Sequence, residues 1–212
     1  AVFQTPWGEG KCRTRLLGRF NAQNLAACVA LLCANGYPLN NVLEVLAKIR
    51  PASGRMDCIM NSGKPLVVVD YAHTPDALEK ALSTLQEIKP QGAALWCVFG
   101  CGGNRAKDRR TSMGEIGGKK ADLSIITADN SRYEKVEDII ADIRESIVKT
   151  GGAFIEIPDR REAIFHAVQK AEPGDMIAII GKGHEDYQEI CGVRTHFLDR
   201  EVVEEALREM GE

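Results

Sequence analysis

Apolar residues in the second half of the chain come as short continuous runs, separated by longer stretches in which they recur every three or four positions. The runs 66–69, 94–99, 123–127, 154–158 and 176–180 read as buried strands. The stretches between them read as amphipathic helices. One is predicted to start at Thr74-Pro75, a Thr N-cap followed by a proline whose missing N–H costs nothing in a first turn, and to bury Leu78, Ala81, Leu82, Leu85 and Ile88. A second, near 136–148, presents Ile139, Ile140, Ile143 and Ile147, and a third, over 159–171, presents Ile164, Ala167 and Val168. A last helix over 201–210 closes the pattern. Strand–helix alternation of this kind predicts an α/β fold with a mostly parallel sheet covered on both faces.

The first half reads differently. Residues 1–17 hold two extended stretches around Trp7-Gly8-Glu9-Gly10, which is expected to be the turn. A helix is predicted over 21–35, with Leu25, Cys28, Val29 and Leu32 on one face and Gly36 as its stop. A second is predicted over 39–49, burying Val42, Leu43, Val45, Leu46 and Ile49. Pro51-Ala52-Ser53-Gly54 then breaks the chain, and a domain boundary is expected there, with residues 1–55 the tail of one α/β domain and 56–212 a second domain.

Composition narrows the function classes. With 212 residues, 44% of them hydrophobic and 27% charged, the chain has the make-up of a globular protein. A net charge of −3 argues against a nucleic-acid partner, since such domains carry a basic excess. No run approaches the roughly 20 apolar residues that span a bilayer, and the first residues lack the pattern of a signal peptide, so no membrane insertion and a cytoplasmic location are expected. The seven cysteines are scattered, with no C-x-x-C pair, and read as reduced thiols without a metal or disulfide role.

Candidate chemistry lies where the strands end. In an open parallel sheet the loops after the carboxyl ends converge on one crevice. Here those loops are Gly100-Cys101-Gly102-Gly103-Asn104-Arg105, Asp129-Asn130-Ser131-Arg132 and Gly181-Lys182-Gly183-His184-Glu185. Together they supply guanidinium forks, carboxylates and backbone N–H groups, a set suited to a small zwitterion. The glycine loop resembles a dinucleotide fingerprint, but Arg105 stands where the third glycine is required, which weakens a nicotinamide-dependent oxidoreductase reading. Taken alone, Asp129–Arg132 equally fits an Asx-turn, and Asp70-Tyr71-Ala72-His73 equally fits a helix-entry turn. No Walker A motif is present.

Read in order, Leu17-Gly18-Arg19-Phe20-Asn21-Ala22-Gln23-Asn24, Ser53-Gly54-Arg55-Met56, Val69-Asp70-Tyr71-Ala72-His73-Thr74-Pro75-Asp76, residues 95–105, Asp129–Arg132 and residues 181–188 resemble the Mur ligases, ATP-dependent amino-acid-adding enzymes of peptidoglycan synthesis. The resemblance is nearest to the branch that adds meso-diaminopimelate to UDP-MurNAc-L-Ala-D-Glu through an acyl phosphate. It implies a Rossmann-like C-terminal domain for the incoming amino acid, preceded here by the remnant of the central ATP-binding domain. The phosphate loop and catalytic residues would lie upstream, so this chain alone is expected to be inactive.

The resemblance also implies roles. Arg105, Asp129, Asn130, Ser131, Arg132, Gly181 and Glu185 would hold diaminopimelate, with Arg132 gripping the distal carboxylate that lysine lacks. Asn21, Arg55, Asp70 and His73 would line the ATP site, with magnesium as the companion ion. Small-molecule substrates are the expected partners. The family motif reads Asp-Asn-Pro-Arg, and Ser131 replaces its proline, which loosens the pre-set backbone. A lysine-adding relative and a non-catalytic amino-acid-binding module are the alternatives; folylpolyglutamate synthase shares the architecture but is not expected to carry Asp-Asn-x-Arg and Gly-Lys-Gly-His-Glu together.

Overall fold

The computed structural model describes residues 1–60 and 62–210. The chain divides into two compact units, Ala1–Ala52 and Ser53–Glu212, so the division falls at the start of the Ser53-Gly54 turn.

The first unit opens with an antiparallel hairpin of β1 (Val2–Thr5) and β2 (Gly8–Lys11). Its turn is Pro6-Trp7, earlier than expected, because Thr5 Oγ1 accepts from Trp7 N at 3.1 Å and Gly8–Gly10 already pair as strand. Helix α1 (Arg19–Ala34) buries Leu25, Val29 and Cys33. Cys28, expected on that face, is exposed, because the buried stripe holds three residues at four-residue spacing and is narrower than the predicted one. Helix α2 (Leu39–Leu46) is shorter than predicted. Leu39, Val42, Leu43 and Leu46 form its inner stripe, while Val45 and Ile49 are exposed. An eight-residue helix has one face to bury; Val45 lies off it, and Ile49 lies beyond the helix's end.

The second unit carries the predicted α/β alternation. Its elements are β3 (Asp57–Ile59), β4 (Leu66–Asp70), α3 (Pro75–Ile88), β5 (Leu95–Phe99), α4 (Lys107–Lys120), β6 (Leu123–Ile126), α5 (Val136–Thr150), β7 (Phe154–Glu156), α6 (Arg160–Lys170), β8 (Met176–Ile180), β9 (Tyr187–Ile190), β10 (Val193–His196) and α7 (Asp199–Glu209). The sheet order is β3-β4-β8-β5-β6-β7, parallel throughout except for β3. Thr74 caps α3 as predicted, its hydroxyl accepting from Ala77 N. Ile88, at the end of that helix, is exposed rather than buried.

Alternate strand residues Val67, Val69, Val98, Ile125, Ile177 and Ile179 join α6 and α7 in one apolar cluster. Their neighbours Val68, Cys97, Phe99, Ile126, Ala178 and Ile180 face the other side and are equally buried. There α3, α4 and α5 pack in a row. Strand β8, last of the parallel strands in sequence, inserts between the first two, β4 and β5. The chain leaves β5 for α4 on one face and leaves β8 toward α7 on the other. This reversal opens a crevice at the carboxyl ends of the sheet.

Two elements were not anticipated. Strand β3 is three residues long, too short to show an alternation. The β9–β10 hairpin is mostly polar and half exposed, so no apolar run marks it. Its turn, Cys191-Gly192, has φ of 50° and 78°, the doubly left-handed conformation of a tight two-residue hairpin, with cysteine where asparagine or aspartate is usual.

Candidate functional site

A cavity of about 310 Å³ occupies the crevice. Tyr71 and His73 line it from the loop after β4, Gly100, Cys101, Gly102 and Arg105 from the loop after β5, and Asp129, Asn130 and Arg132 from the loop after β6. Gly181 and Glu185 enter from the loop after β8, and Arg109 and Met113 from α4. The cavity thus faces three guanidinium groups and two carboxylates.

The loops are built onto one another. Gly103 N donates to Asn130 O at 2.9 Å, and Arg132 Nη1 donates back to Gly103 O at 2.8 Å. A methyl group on Gly103 would sit 1.9 Å from Ser131 O, so the approach requires glycine. Arg132 itself has a left-handed φ of 51°. Hairpin β9–β10 holds it there: Arg132 N donates to Glu189 O at 3.0 Å, and Cys191 N donates to Arg132 O at 2.6 Å. Arg110 anchors the same loop from behind, giving two bonds to Glu134 at 2.8 and 2.9 Å and one to Asp142 at 2.9 Å. Its neighbour Arg109 has no carboxylate partner among the described residues and faces the cavity. Arg109, four residues beyond Arg105 and in the first turn of α4, carries no motif that marks it in the sequence.

Lys182 was expected only as part of the loop after β8. Its side chain is fully buried, with Nζ 3.2 Å from Asn130 Oδ1 and 3.4 Å from Glu185 Oε2, and it donates to Tyr187 O. Asn130 Nδ2 in turn donates to Glu185 Oε2 at 2.9 Å.

Of the expected amino-acid-binding residues, Arg105, Asp129, Asn130, Arg132, Gly181 and Glu185 come together on the cavity. Ser131 lies behind them: it is buried, and its hydroxyl finds no hydrogen-bond partner. The expected nucleotide set is more dispersed. His73 lines the cavity, and Arg55 is exposed with its guanidinium 4.6 Å above the Tyr71 ring. Asp70 is buried, its carboxylate accepting from Met56 N at 2.7 Å and Ala72 N at 2.8 Å. Burial pushes this carboxyl above its ordinary range, against the pull of those two N–H groups and Arg55. Asn21 belongs to the first unit, where Nδ2 donates to Leu17 O at 2.7 Å. No group of three metal-binding side chains occurs among the described residues.

Burial pushes the Cys101 thiol up to about 12, with Asp129 adding to the effect. Tyr71, also on the cavity wall, is pushed up by burial and by Glu185. A thiol so placed is an inert wall group rather than a nucleophile.

A strand-end cavity with opposed charges on a doubly wound sheet defines a ligand-binding α/β domain, and sequence comparison gives the family. Residues 54–183 match the profile described as Mur ligase, glutamate ligase domain, and the chain belongs to that family. It is 69% identical to the UDP-N-acetylmuramoyl-L-alanyl-D-glutamate–2,6-diaminopimelate ligase of Neisseria meningitidis serogroup A, over 98% of this chain and 42% of that protein. The Pseudomonas aeruginosa enzyme of the same name is 48% identical over the same shares. A solved structure of a ligase bearing this name superposes with a TM-score of 0.76 at 40% identity, covering 98% of this chain and 42% of that one. The chain therefore spans less than half the length of the relatives it matches.

Proposed function

We propose that this chain is the amino-acid-binding part of a longer ATP-dependent ligase that adds meso-diaminopimelate to UDP-MurNAc-L-Ala-D-Glu in peptidoglycan synthesis. The observation that carries this reading is the cavity in which Arg105 and Arg132 stand with Asp129 and Glu185, cations and carboxylates on separate loops. Diaminopimelate has an ammonium and a carboxylate at each end, and such a lining pairs with both. Arg132 takes the distal carboxylate, a group that lysine lacks, through a planar fork of donors. Asp129 and Glu185 take ammonium, and Gly181 leaves room beside Asp129.

In the proposed reaction ATP converts the glutamate carboxylate into an acyl phosphate, and the amine of diaminopimelate displaces phosphate. In this chain Arg55 and His73 are the groups exposed for nucleotide phosphates. Asp70, with its carboxylate bound by backbone N–H groups, acts by shaping the turn that carries His73. Magnesium would be bound chiefly outside this chain. The nucleotide-linked substrates fit a cytoplasmic enzyme, and no helix among the described residues is long and apolar enough to cross a membrane.

The test is a ligation assay with the longer protein, ATP and UDP-MurNAc-L-Ala-D-Glu, offering meso-diaminopimelate and L-lysine in parallel. The proposal expects ADP release and a product heavier by one diaminopimelate residue. A lysine adduct as the main product would replace the substrate, and no adduct with either would reject the activity.

A further inference from the structure

The terminal amide of Asn130 has one chemically allowed orientation. Lys182 Nζ, which can donate but never accept, lies 3.2 Å from one terminal atom. The backbone N–H of Glu189 donates to that same atom at 3.0 Å. That atom must be the oxygen. The other terminal atom lies 2.9 Å from Glu185 Oε2, a carboxylate oxygen, and must be the nitrogen. Two donors fill Oδ1, and Glu185 Oε2 is engaged by both Asn130 and Lys182.

What remains for a ligand is one N–H of Asn130 and the second oxygen of Glu185. Tyr71 Oη is 3.5 Å from that Oε1, too far to saturate it. The pair therefore offers a donor on one side and an acceptor on the other. With Oδ1 filled by two donors, Asn130 meets a ligand as a donor.

We propose that Lys182 is the positioning residue that sets this polarity and, through it, the stereochemical choice of the site. The inference rests on reading the cavity as an amino-acid site. With the ligand carboxylate on Asn130 Nδ2 and Arg132, and the ammonium on Glu185 Oε1, the substituents of one stereocentre have fixed places. The opposite configuration, entering along the same carbon chain, exchanges them and sets ammonium against N–H and carboxylate against carboxylate. Lys182, with the backbone N–H of Glu189, keeps Asn130 from turning over to accept the exchanged ammonium. Its third bond, to Tyr187 O, ties the same hub to the start of hairpin β9–β10, which shapes Arg132. The buried ammonium thus links both halves of the recognition surface without touching the ligand.

The test compares the longer ligase with its Lys182→Met variant, using meso- and LL-diaminopimelate. The ratio of kcat/KM for meso over LL should fall at least about ten-fold, equivalent to about 1.4 kcal/mol of lost discrimination. KM for ATP should stay within about two-fold, which general damage to the fold would not allow. An unchanged ratio overturns the role of Lys182 while ligation itself keeps the functional reading intact. If neither enzyme uses either isomer, the functional reading fails first. Should the variant not fold, the side-chain amide signals of Asn130 in the unaltered enzyme decide: they should shift when meso-diaminopimelate binds, and silence there overturns the proposal.

Discussion

Arg160 and Asp199 form a two-pronged ion pair with no solvent exposure, Nε to Oδ1 at 2.7 Å and Nη2 to Oδ2 at 2.8 Å. The same guanidinium donates to Ala128 O at 3.2 Å and Ile180 O at 3.1 Å, the residues just before Asp129 and Gly181. One buried side chain thus fixes the ends of two strands that deliver site residues. Breaking a buried pair leaves an uncompensated charge, so Arg160→Leu should lose about 3–5 kcal/mol in urea unfolding. A loss under about 1 kcal/mol would mean that Asp199 is solvated in place.

Gly103→Ala should act on both stability and binding. The added methyl would meet a backbone oxygen, which cannot swing aside as a side-chain tip can. The loops after β5 and β6 must then separate, breaking the bonds between Gly103 and its partners. A stability loss above about 2 kcal/mol is expected, together with weaker amino-acid binding, both measurable by thermal unfolding with and without ligand.

Ser131→Pro should be neutral or stabilising. The serine hydroxyl is buried without a partner, and the motif resembled by this loop has proline at that position. Removing an orphaned hydroxyl and stiffening the unfolded chain should add about 0.4–1 kcal/mol, with KM for the amino acid unchanged. A clear destabilisation would show that the backbone here rejects the proline φ or needs the serine N–H.

Thiol reactivity should follow burial and not proximity to the cavity. With its pKa pushed up to about 12, Cys101 should resist iodoacetamide at pH 7.5, whereas the exposed Cys28 and Cys191 should be alkylated first. Peptide mapping after brief labelling checks the order. Early modification of Cys101 would contradict the inert role assigned to it.

The sheet was legible because β4, β5, β6 and β8 are apolar on both faces, and the site was legible because its loops follow those strands. Much of the remaining architecture is polar or depends on partners distant in sequence. Lys182 lies in a segment that, read alone, resembles a phosphate loop, and its role emerges when Asn130 and Tyr187 meet it. Arg160 and Asp199 are ordinary charges at helix starts until the fold buries them together. Hairpin β9–β10 shows no apolar alternation, yet it imposes the left-handed φ of Arg132. In the first unit Val45 and Ile49 are apolar yet exposed, because hydrophobicity alone says neither which helix face is covered nor where the helix ends.

The most direct test is a calorimetric titration of the longer ligase with meso-diaminopimelate and L-lysine, repeated with Arg132→Ala. The account predicts that diaminopimelate binds at least about 100-fold more tightly than lysine and that the variant loses most of this preference, as expected for removing charge-assisted bonds of about 1.5–3 kcal/mol each. Equal affinity for the two amino acids, or a preference that survives in Arg132→Ala, would contradict it.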